Sequence, residues 1–182
     1  MPPNPRDRQV LGLCHGFRRS WLDCFFTRIT WGGSLYLLLP ATLFIIALLA
    51  KQGRTDEGWL LVLSLAGVAL LSRLAKLWFA RPRPDFFPID HDIPMDASYP
   101  SAHTAQVVAF AMALGWIVKP ENIGLSYCLL IGGLVIGVFA VTLSRLYLQV
   151  HYPSDVLGGI VLAVLWTLGL VHMLEILSFS VR

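Results

Sequence analysis

The sequence predicts an all-α, integral-membrane helical bundle of about five transmembrane helices plus an N-terminal amphipathic helix at the interface. Apolar residues make up 56% of the 182 residues and charged residues only 14%, whereas soluble domains average about 45–50% and about 25%. The mean hydropathy is +0.67. Apolar runs of spanning length recur along the chain. The length suits one domain, covering residues 1–182.

The first element in chain order is residues 9–29, which are apolar but interrupted by Arg18, Arg19 and Asp23. The large apolar residues between those charges recur at helical spacing: Leu22, Phe25, Phe26 and Ile29. This pattern favours an amphipathic helix lying on the bilayer surface. A sixth membrane span is the alternative.

Five later segments approach the roughly 20 residues that a helix needs to cross the hydrocarbon core. They are residues 32–50, 59–80, 102–118, 124–147 and 155–177. If each segment crosses the membrane, the N-terminus and the connectors 81–100 and 148–154 share one side, here called the motif face. Two glycine stretches, IGGLVIG at 131–137 and Gly158-Gly159, suit close helix packing.

Five ionisable residues within the apolar segments lie toward the motif face. They are Arg73, Lys76, His103, Arg145 and Asp155. Ionisable residues in membrane segments are costly and mark functional sites. Taken alone, the two cations near the end of the second segment also suit side chains that extend toward lipid headgroups.

Three stretches meet on the motif face: KLWFARPRP (76–84), YPSAHT (99–104) and SRLYLQVHYPSD (144–155). Together they supply three cations, two imidazoles, a carboxylate and a hydroxyl: Lys76, Arg83, Arg145, His103, His151, Asp155 and Ser101. Such a set suits a phosphoryl group, because cations neutralise its oxygens while one histidine attacks phosphorus and the other protonates the leaving oxygen. A carboxylate beside the attacking histidine would fix its tautomer.

The connector 81–100 on the motif face also carries a group of acidic residues around His91, which are Asp90, Asp92 and Asp96. A metal site is one interpretation, and a solvated loop is favoured. No other cluster has the composition of a magnesium, calcium or zinc site. We therefore expect a mechanism that needs no metal or other cofactor.

In order and spacing the three stretches resemble the type-2 phosphatidic acid phosphatase (PAP2) family, which shares its site with vanadium haloperoxidases. The family shows Lys, six residues and Arg-Pro, matched by Lys76 and Arg83-Pro84. It shows Pro-Ser-Gly-His, matched by 100–103 with Ala102 in place of Gly. It also shows Ser-Arg, five residues, His, three residues and Asp, matched over 144–155. An alanine is tolerated if its φ is negative, as at a helix N-terminus.

The resemblance implies a role for each matched residue. His151 would be the nucleophile that forms a phosphohistidine, with Asp155 orienting it. His103 would be the general acid for the leaving group and then the base for water. The remaining matched residues would hold the phosphate: Lys76, Arg83, Ser101, Ala102 and Arg145.

The residues and the resemblance together predict a metal-independent lipid phosphatase. The resemblance to short bacterial members of the family implies undecaprenyl or another polyprenyl diphosphate as the favoured substrate. Phosphatidylglycerophosphate and phosphatidate are alternatives. A non-catalytic lipid-phosphate binder or carrier is an alternative of another class. The expected partners are the lipid phosphate substrate and the surrounding membrane lipids, since a net charge of +3 does not indicate nucleic acid.

The side of the membrane that the site faces is predicted differently by charge and by resemblance. Apart from the three motif cations, the motif face carries Arg6, Arg8, Arg18, Arg19, Arg28 and Arg81, whereas the opposite face carries Lys51, Arg54, Lys119 and Arg182. The positive-inside rule then favours a cytoplasmic site. The resemblance implies the outer side, and we expect a bacterial inner membrane protein whose site faces the periplasm or outside. Arg81 is interpreted as a headgroup anchor, with a second phosphate contact as the alternative.

Overall fold

The computed structural model describes residues 4–87, 95–120 and 123–180. Within these ranges the chain forms seven α-helices and one short 3-10 turn, and no strand. The elements are α1 (Pro5–Gly16), α2 (Ser20–Ile29), the 3-10 turn (Thr30–Gly33), α3 (Leu35–Lys51), α4 (Thr55–Phe79), α5 (Ala102–Ile117), α6 (Leu125–Tyr147) and α7 (Pro153–Ser180). The all-α fold class is confirmed.

Three helices of the described chain, α4, α6 and α7, are long and apolar enough to cross a membrane. A fourth span results if α2, the 3-10 turn and α3 act together, because the pair passes the same test with a 45° bend at its break. The expected spans 32–50 and 102–118 correspond to α3 and α5, which have only 17 and 16 residues. Whether each of these crosses by itself stays a prediction.

The N-terminal segment differs from the single helix expected over 9–29, because it forms the two helices α1 and α2. Asn4 and Asp7 form a capping box that starts α1 earlier, and Gly16 ends it. The backbone at Arg19 is extended and its amide donates to the Tyr147 hydroxyl at 3.1 Å. A tertiary hydrogen bond at Arg19 therefore divides the segment, and α2 alone carries the expected apolar stripe, packed on the end of α6.

Helix α5 lies at the centre of the bundle and contacts α3, α4, α6 and α7. Small residues on α5 let its neighbours approach, among them the fully buried Ala105, Ala109 and Ala113. Two apolar clusters surround them, one with Val68 and Val141 and the other with α4 leucines and Ile117. This packing brings the ends of α4, α5, α6 and α7 that carry the motifs to one end of the bundle.

The two glycine stretches behave differently. A Cβ at Gly159 would lie 2.6 Å from the carbonyl oxygen of Ser101, and a Cβ at Gly158 would lie 2.5 Å from the Tyr99 ring. Close packing at this pair is as expected. For the tract 131–137 the expectation of close packing is wrong, because a Cβ added at Gly132, Gly133 or Gly137 would meet no atom of the described residues within 4 Å.

We predict that Gly159→Ala lowers the stability of the protein by about 2 kcal/mol, because the new methyl group meets backbone rather than a flexible side chain. The matched control is Gly169→Ala in the same helix, where a Cβ has no described neighbour within 4 Å and the alanine favours the helix. Thermal unfolding in detergent measures both variants. Equal melting temperatures for the two would contradict the close approach of α7 to α5.

Candidate active site

A pocket of about 260 Å³ lies where the motif-bearing helix ends meet. It is lined by six of the eight residues that the sequence predicts for the site: Lys76, Arg83, Ala102, His103, Arg145 and His151. The other two, Ser101 and Asp155, are fully buried and do not line it. The structure therefore brings the eight residues together in two layers, with Ser101 and Asp155 behind the wall of the pocket.

The turn after α4 directs Arg83 into this pocket. Ala80 ends α4 in the left-handed region, with φ of 43°. Pro82 and Pro84 then prevent the helix from resuming, since proline lacks the amide hydrogen and restricts the residue before it. The Arg83 guanidinium donates to the carbonyl oxygen of Val150 at 2.6 Å, which ties this turn to the loop that carries His151.

The His151 ring lies between an anion and a cation. Its Nδ1 is 3.5 Å from Oδ2 of Asp155, and its Nε2 is 3.4 Å from Nη1 of Arg83. A carboxylate only accepts and a guanidinium only donates, so this pair of neighbours favours the proton on Nδ1 and the lone pair on Nε2, although Nδ1 makes no hydrogen bond among the described residues. Nε2, the nitrogen beside Arg83, is therefore the one available for attack on a ligand in the pocket.

Burial also keeps His151 neutral. Burial, followed by the positive charges of Arg145, Arg83 and Lys76, lowers the pKa of His151 well below its usual value. The ring is 1% exposed. A neutral imidazole at physiological pH is the form that acts as a nucleophile.

Asp155 is held by groups from two other segments. Its Oδ1 accepts from Nη1 of Arg81 at 2.5 Å and its Oδ2 accepts from the amide of Tyr152 at 2.9 Å. Arg81 also pairs with Asp7 of α1 at 3.0 Å, and its guanidinium lies 4.1 Å from the centre of the Tyr152 ring. Arg81 is 3% exposed, so its interpretation as a headgroup anchor is wrong. It is a buried cation between two carboxylates.

Helix α1 is consequently attached to the site rather than only to a membrane surface. Asp7 accepts from the backbone amide of Ser154 at 3.2 Å and from its hydroxyl at 2.8 Å. Gln149, beside His151, adopts a positive φ of 57° and donates its side-chain amide to the carbonyl oxygen of Leu11 at 2.9 Å. Backbone of this kind persists where the surroundings hold it, and here α1 provides that support.

Asp96 is the residue of the loop before α5 that reaches the cations of the pocket. Its carboxylate accepts from Nζ of Lys76 and from Nη2 of Arg83, each at 2.5 Å. Burial alone would raise the pKa of Asp96, but hydrogen bonds from Lys76 and Arg83 outweigh it and lower the pKa to about 2. A carboxylate of the chain thus occupies the place between two cations that an anionic ligand would take.

The remaining cation and the start of α5 complete the pocket. Arg145 donates through Nη1 to the hydroxyl of Thr30 at 2.5 Å, and its Nε is buried without a partner among the described residues. Ser101 stands at the N-cap of α5, but its hydroxyl accepts from Thr104 instead of capping a backbone amide. The amides of this helix start therefore have no side-chain cap and can bind an anion.

The structure bears on two further expectations, one about backbone and one about metal. Ala102 is the first residue of α5. The described non-glycine residues with positive φ are Ala80 and Gln149, so Ala102 does not require the conformation that favours glycine. In the ranges that the structure covers, no three His, Cys, Asp or Glu side chains are grouped as a metal site. His91, Asp90 and Asp92 lie outside those ranges, and Asp96 pairs with cations instead.

Four residues of the site were missed or misread from the sequence: Asp7, Arg81, Asp96 and Gln106. Gln106 lines the pocket one turn after His103, and its position as a polar residue within an apolar helix was the available signal. Asp7 and Arg81 gave no such signal, because their partners lie in distant parts of the chain. Asp96 was assigned to a solvated loop.

Comparisons with known proteins agree with this geometry. A sequence model of the PAP2 superfamily matches residues 57–178. The chain belongs to the PAP2 superfamily. The matched range contains every residue of the three motifs.

Relatives that the chain matches are named phosphatases, and one similar solved structure is a transmembrane PAP2-type phosphatase. Phosphatidylglycerophosphatase B of Bacillus subtilis is 33% identical over 150 residues, or 81% of this chain and 73% of its own length. Undecaprenyl-diphosphatase BcrC of Bacillus subtilis is 29% identical over 163 residues, or 87% and 77%. The crystal structure of a transmembrane PAP2-type phosphatidylglycerolphosphate phosphatase from Bacillus subtilis superposes with a TM-score of 0.83 at 28% identity, covering 93% of this chain and 85% of that one. The chain is thus an integral membrane phosphatase of the PAP2 type.

We predict that Asp96→Asn increases the affinity for inorganic phosphate about tenfold, because removing two partly exposed ion pairs frees about 1 kcal/mol or somewhat more of competing interaction. The Asp96 carboxylate, with its pKa of about 2, stays ionised in the wild type from pH 5 to 8, so its own titration adds no pH dependence to this gain. Competitive inhibition by phosphate measures it. Asp85→Asn, at an exposed residue of the same connector, is the control, and weaker phosphate binding by Asp96→Asn would show that Asp96 orients the cations instead.

Proposed function

We propose that this protein hydrolyses a lipid phosphate or diphosphate through a phosphohistidine on His151, without a metal ion. Undecaprenyl or another polyprenyl diphosphate is the favoured substrate. The observation that supports this most is the placement of His151, with its Nδ1 facing Asp155 and its Nε2 facing the cation-lined pocket. A mere phosphate binder has no need of an imidazole oriented in this way.

In the first step Nε2 of His151 attacks phosphorus and the bond from phosphorus to the leaving oxygen breaks. His103, which lines the same pocket, donates a proton to that oxygen, so the lipid alcohol or lipid phosphate leaves in protonated form. The imidazole becomes cationic when it is phosphorylated, and the buried carboxylate of Asp155 stabilises this charge.

In the second step water replaces the leaving group. His103, now without its proton, takes a proton from the water as the water oxygen attacks phosphorus. The bond from phosphorus to Nε2 breaks, inorganic phosphate is released and His151 returns to its neutral form. Each proton that His103 gives in the first step is thus recovered in the second.

Charge that builds on the phosphoryl oxygens is balanced by Lys76, Arg83 and Arg145 together with the uncapped amides at the start of α5. These groups are fixed before the substrate arrives, which is the arrangement that stabilises a phosphoryl-transfer transition state. Three permanent cations at one pocket supply the neutralisation that a metal ion would otherwise provide.

Two substrate classes have support from the relatives. One relative is named an undecaprenyl-diphosphatase and another a phosphatidylglycerophosphatase, so phosphatidylglycerophosphate is the second candidate substrate and phosphatidate the third. The two named substrates share a phosphate that ends a membrane lipid. A site at the ends of membrane helices suits such a group, because the lipid chain remains in the bilayer.

We predict that His151→Ala abolishes phosphate release from polyprenyl diphosphate in detergent, lowering kcat at least about 10³-fold, as expected for loss of a covalent nucleophile. His172→Ala, at an exposed histidine of α7, keeps full activity. A chelator leaves the wild-type rate unchanged. Full activity in His151→Ala would contradict the mechanism, and loss of wild-type activity with chelator would contradict metal independence.

The proposed location is the bacterial inner membrane, with the site facing the periplasm. Charge favours the opposite orientation, so a direct measurement is needed. In a background without Cys14, Cys24 and Cys128, Asp85→Cys on the motif face is expected to react with a membrane-impermeant thiol reagent in intact cells, whereas Lys119→Cys is protected. The reverse pattern would place the site in the cytoplasm.

A further inference from the structure

A second and larger cleft, of about 820 Å³, adjoins the pocket of about 260 Å³ that His151 lines. The two share Lys76, Arg83, Asp96 and Ala102 as lining residues. The rest of the cleft is formed by one side of α4 on one wall and by residues 95–97 on the other. The two cavities therefore border each other at these four residues, and a ligand at His151 that displaces Asp96 would reach the cleft.

Arg73 lies on the α4 wall of this cleft, three residues before Lys76. Residues three apart share a helix face, and Arg73 is about 4.5 Å farther along α4 toward the middle of the helix. The side chain is exposed, and within the described ranges it has no hydrogen bond or ion pair. It is a cation that nothing in the described chain neutralises.

The other charged residues of the cleft are already paired. Asp96 is the one acidic side chain among its described lining residues, and it bonds Lys76 and Arg83. Arg81, which also lines the cleft, pairs with carboxylates behind the wall. Lys76 and Arg83 share this one carboxylate, and Arg73 is the lining cation that has no partner among the described residues.

The membrane sets the direction in which a lipid substrate runs. With its scissile phosphate at His151, its chain must pass from the end of α4 toward the bilayer centre. Ala69 lines the same wall one turn beyond Arg73, and its small side chain leaves space for a hydrocarbon chain. The part of the lipid between the scissile phosphate and the chain then lies beside Arg73.

We infer that Arg73 binds a second phosphate, located between the scissile phosphate and the lipid chain. The inference rests on the proposed function and narrows its substrate class to lipids with two phosphates in series. A lipid diphosphate has this arrangement, and so does phosphatidylglycerophosphate, in which the second phosphate is a diester. Phosphatidate has only one phosphate and leaves Arg73 without a substrate contact.

The test compares Arg73→Gln with wild type on three lipids in mixed micelles: a polyprenyl diphosphate, phosphatidylglycerophosphate and phosphatidate. We expect kcat/KM for the diphosphate to fall about 10- to 100-fold, as for loss of a hydrogen bond to a charged group, while phosphatidate changes less than about twofold. Arg73→Lys is expected to recover part of the loss. If kcat/KM for phosphatidylglycerophosphate falls equally, Arg73 also binds a phosphodiester as the second phosphate. If only the rate on the diphosphate falls, the substrate class is limited to lipid diphosphates.

A matched control is Arg6→Gln, which removes an exposed cation of α1 and is expected to leave all three rates unchanged. An equal fall on all three lipids in Arg73→Gln would show that Arg73 only anchors the protein to headgroups and would overturn the inference. The inference is also overturned if Arg73→Gln changes the rate on none of the three lipids.

A binding measurement separates this inference from the proposed catalytic function. Pyrophosphate and phosphate are titrated into wild type and Arg73→Gln by calorimetry, which requires no turnover. Pyrophosphate affinity is expected to fall about tenfold in the variant while phosphate affinity stays the same. A protein that binds but does not hydrolyse lipids would still show this difference, and equal changes for both anions would reject the second-phosphate site.

Discussion

The site depends on one buried carboxylate, that of Asp155. An unpaired carboxylate at 0% exposure would be too costly to ionise, so its oxygens must be matched by donors. Arg81 and the amide of Tyr152 supply them, and His151 faces the same group. These contacts fix the start of α7, the turn after α4 and the loop between α6 and α7 relative to one another. The orientation of the His151 ring follows from that arrangement.

Charge in the site is arranged in two layers. In the inner layer Arg81 lies between Asp7 and Asp155, and all three are buried. In the outer layer the cations of the pocket face Asp96. The Asp96 side chain is 55% exposed, so it can turn away from the cations into solvent. A phosphate that displaces Asp96 exchanges one anion for another, so the cations need not be assembled when substrate binds. The inner layer holds His151 from behind the pocket, through Asp155.

Helix α1 shows how a peripheral segment becomes part of such a site. The segment 9–29, which includes most of α1, was expected to lie on the bilayer, yet Asp7 and Leu11 of α1 are buried against the turn after α4 and the loop that carries His151. The break before α2 allows this, because α2 alone then packs its apolar stripe on the end of α6. An amphipathic pattern therefore does not distinguish burial against protein from burial against lipid.

The sequence by itself determined the all-helical class and the eight motif residues, since each motif is a short stretch whose spacing places its side chains together at a helix end. It did not determine the partners of those residues. Arg81 and Asp155 are 74 residues apart, and Asp7 and Ser154 are 147 apart. Only the packing of α1, α4 and α7 brings them together, because the role of a charged side chain depends on which opposite charge the fold places beside it. The same packing decided that Asp96 faces the cations and that Arg73 lines the cleft.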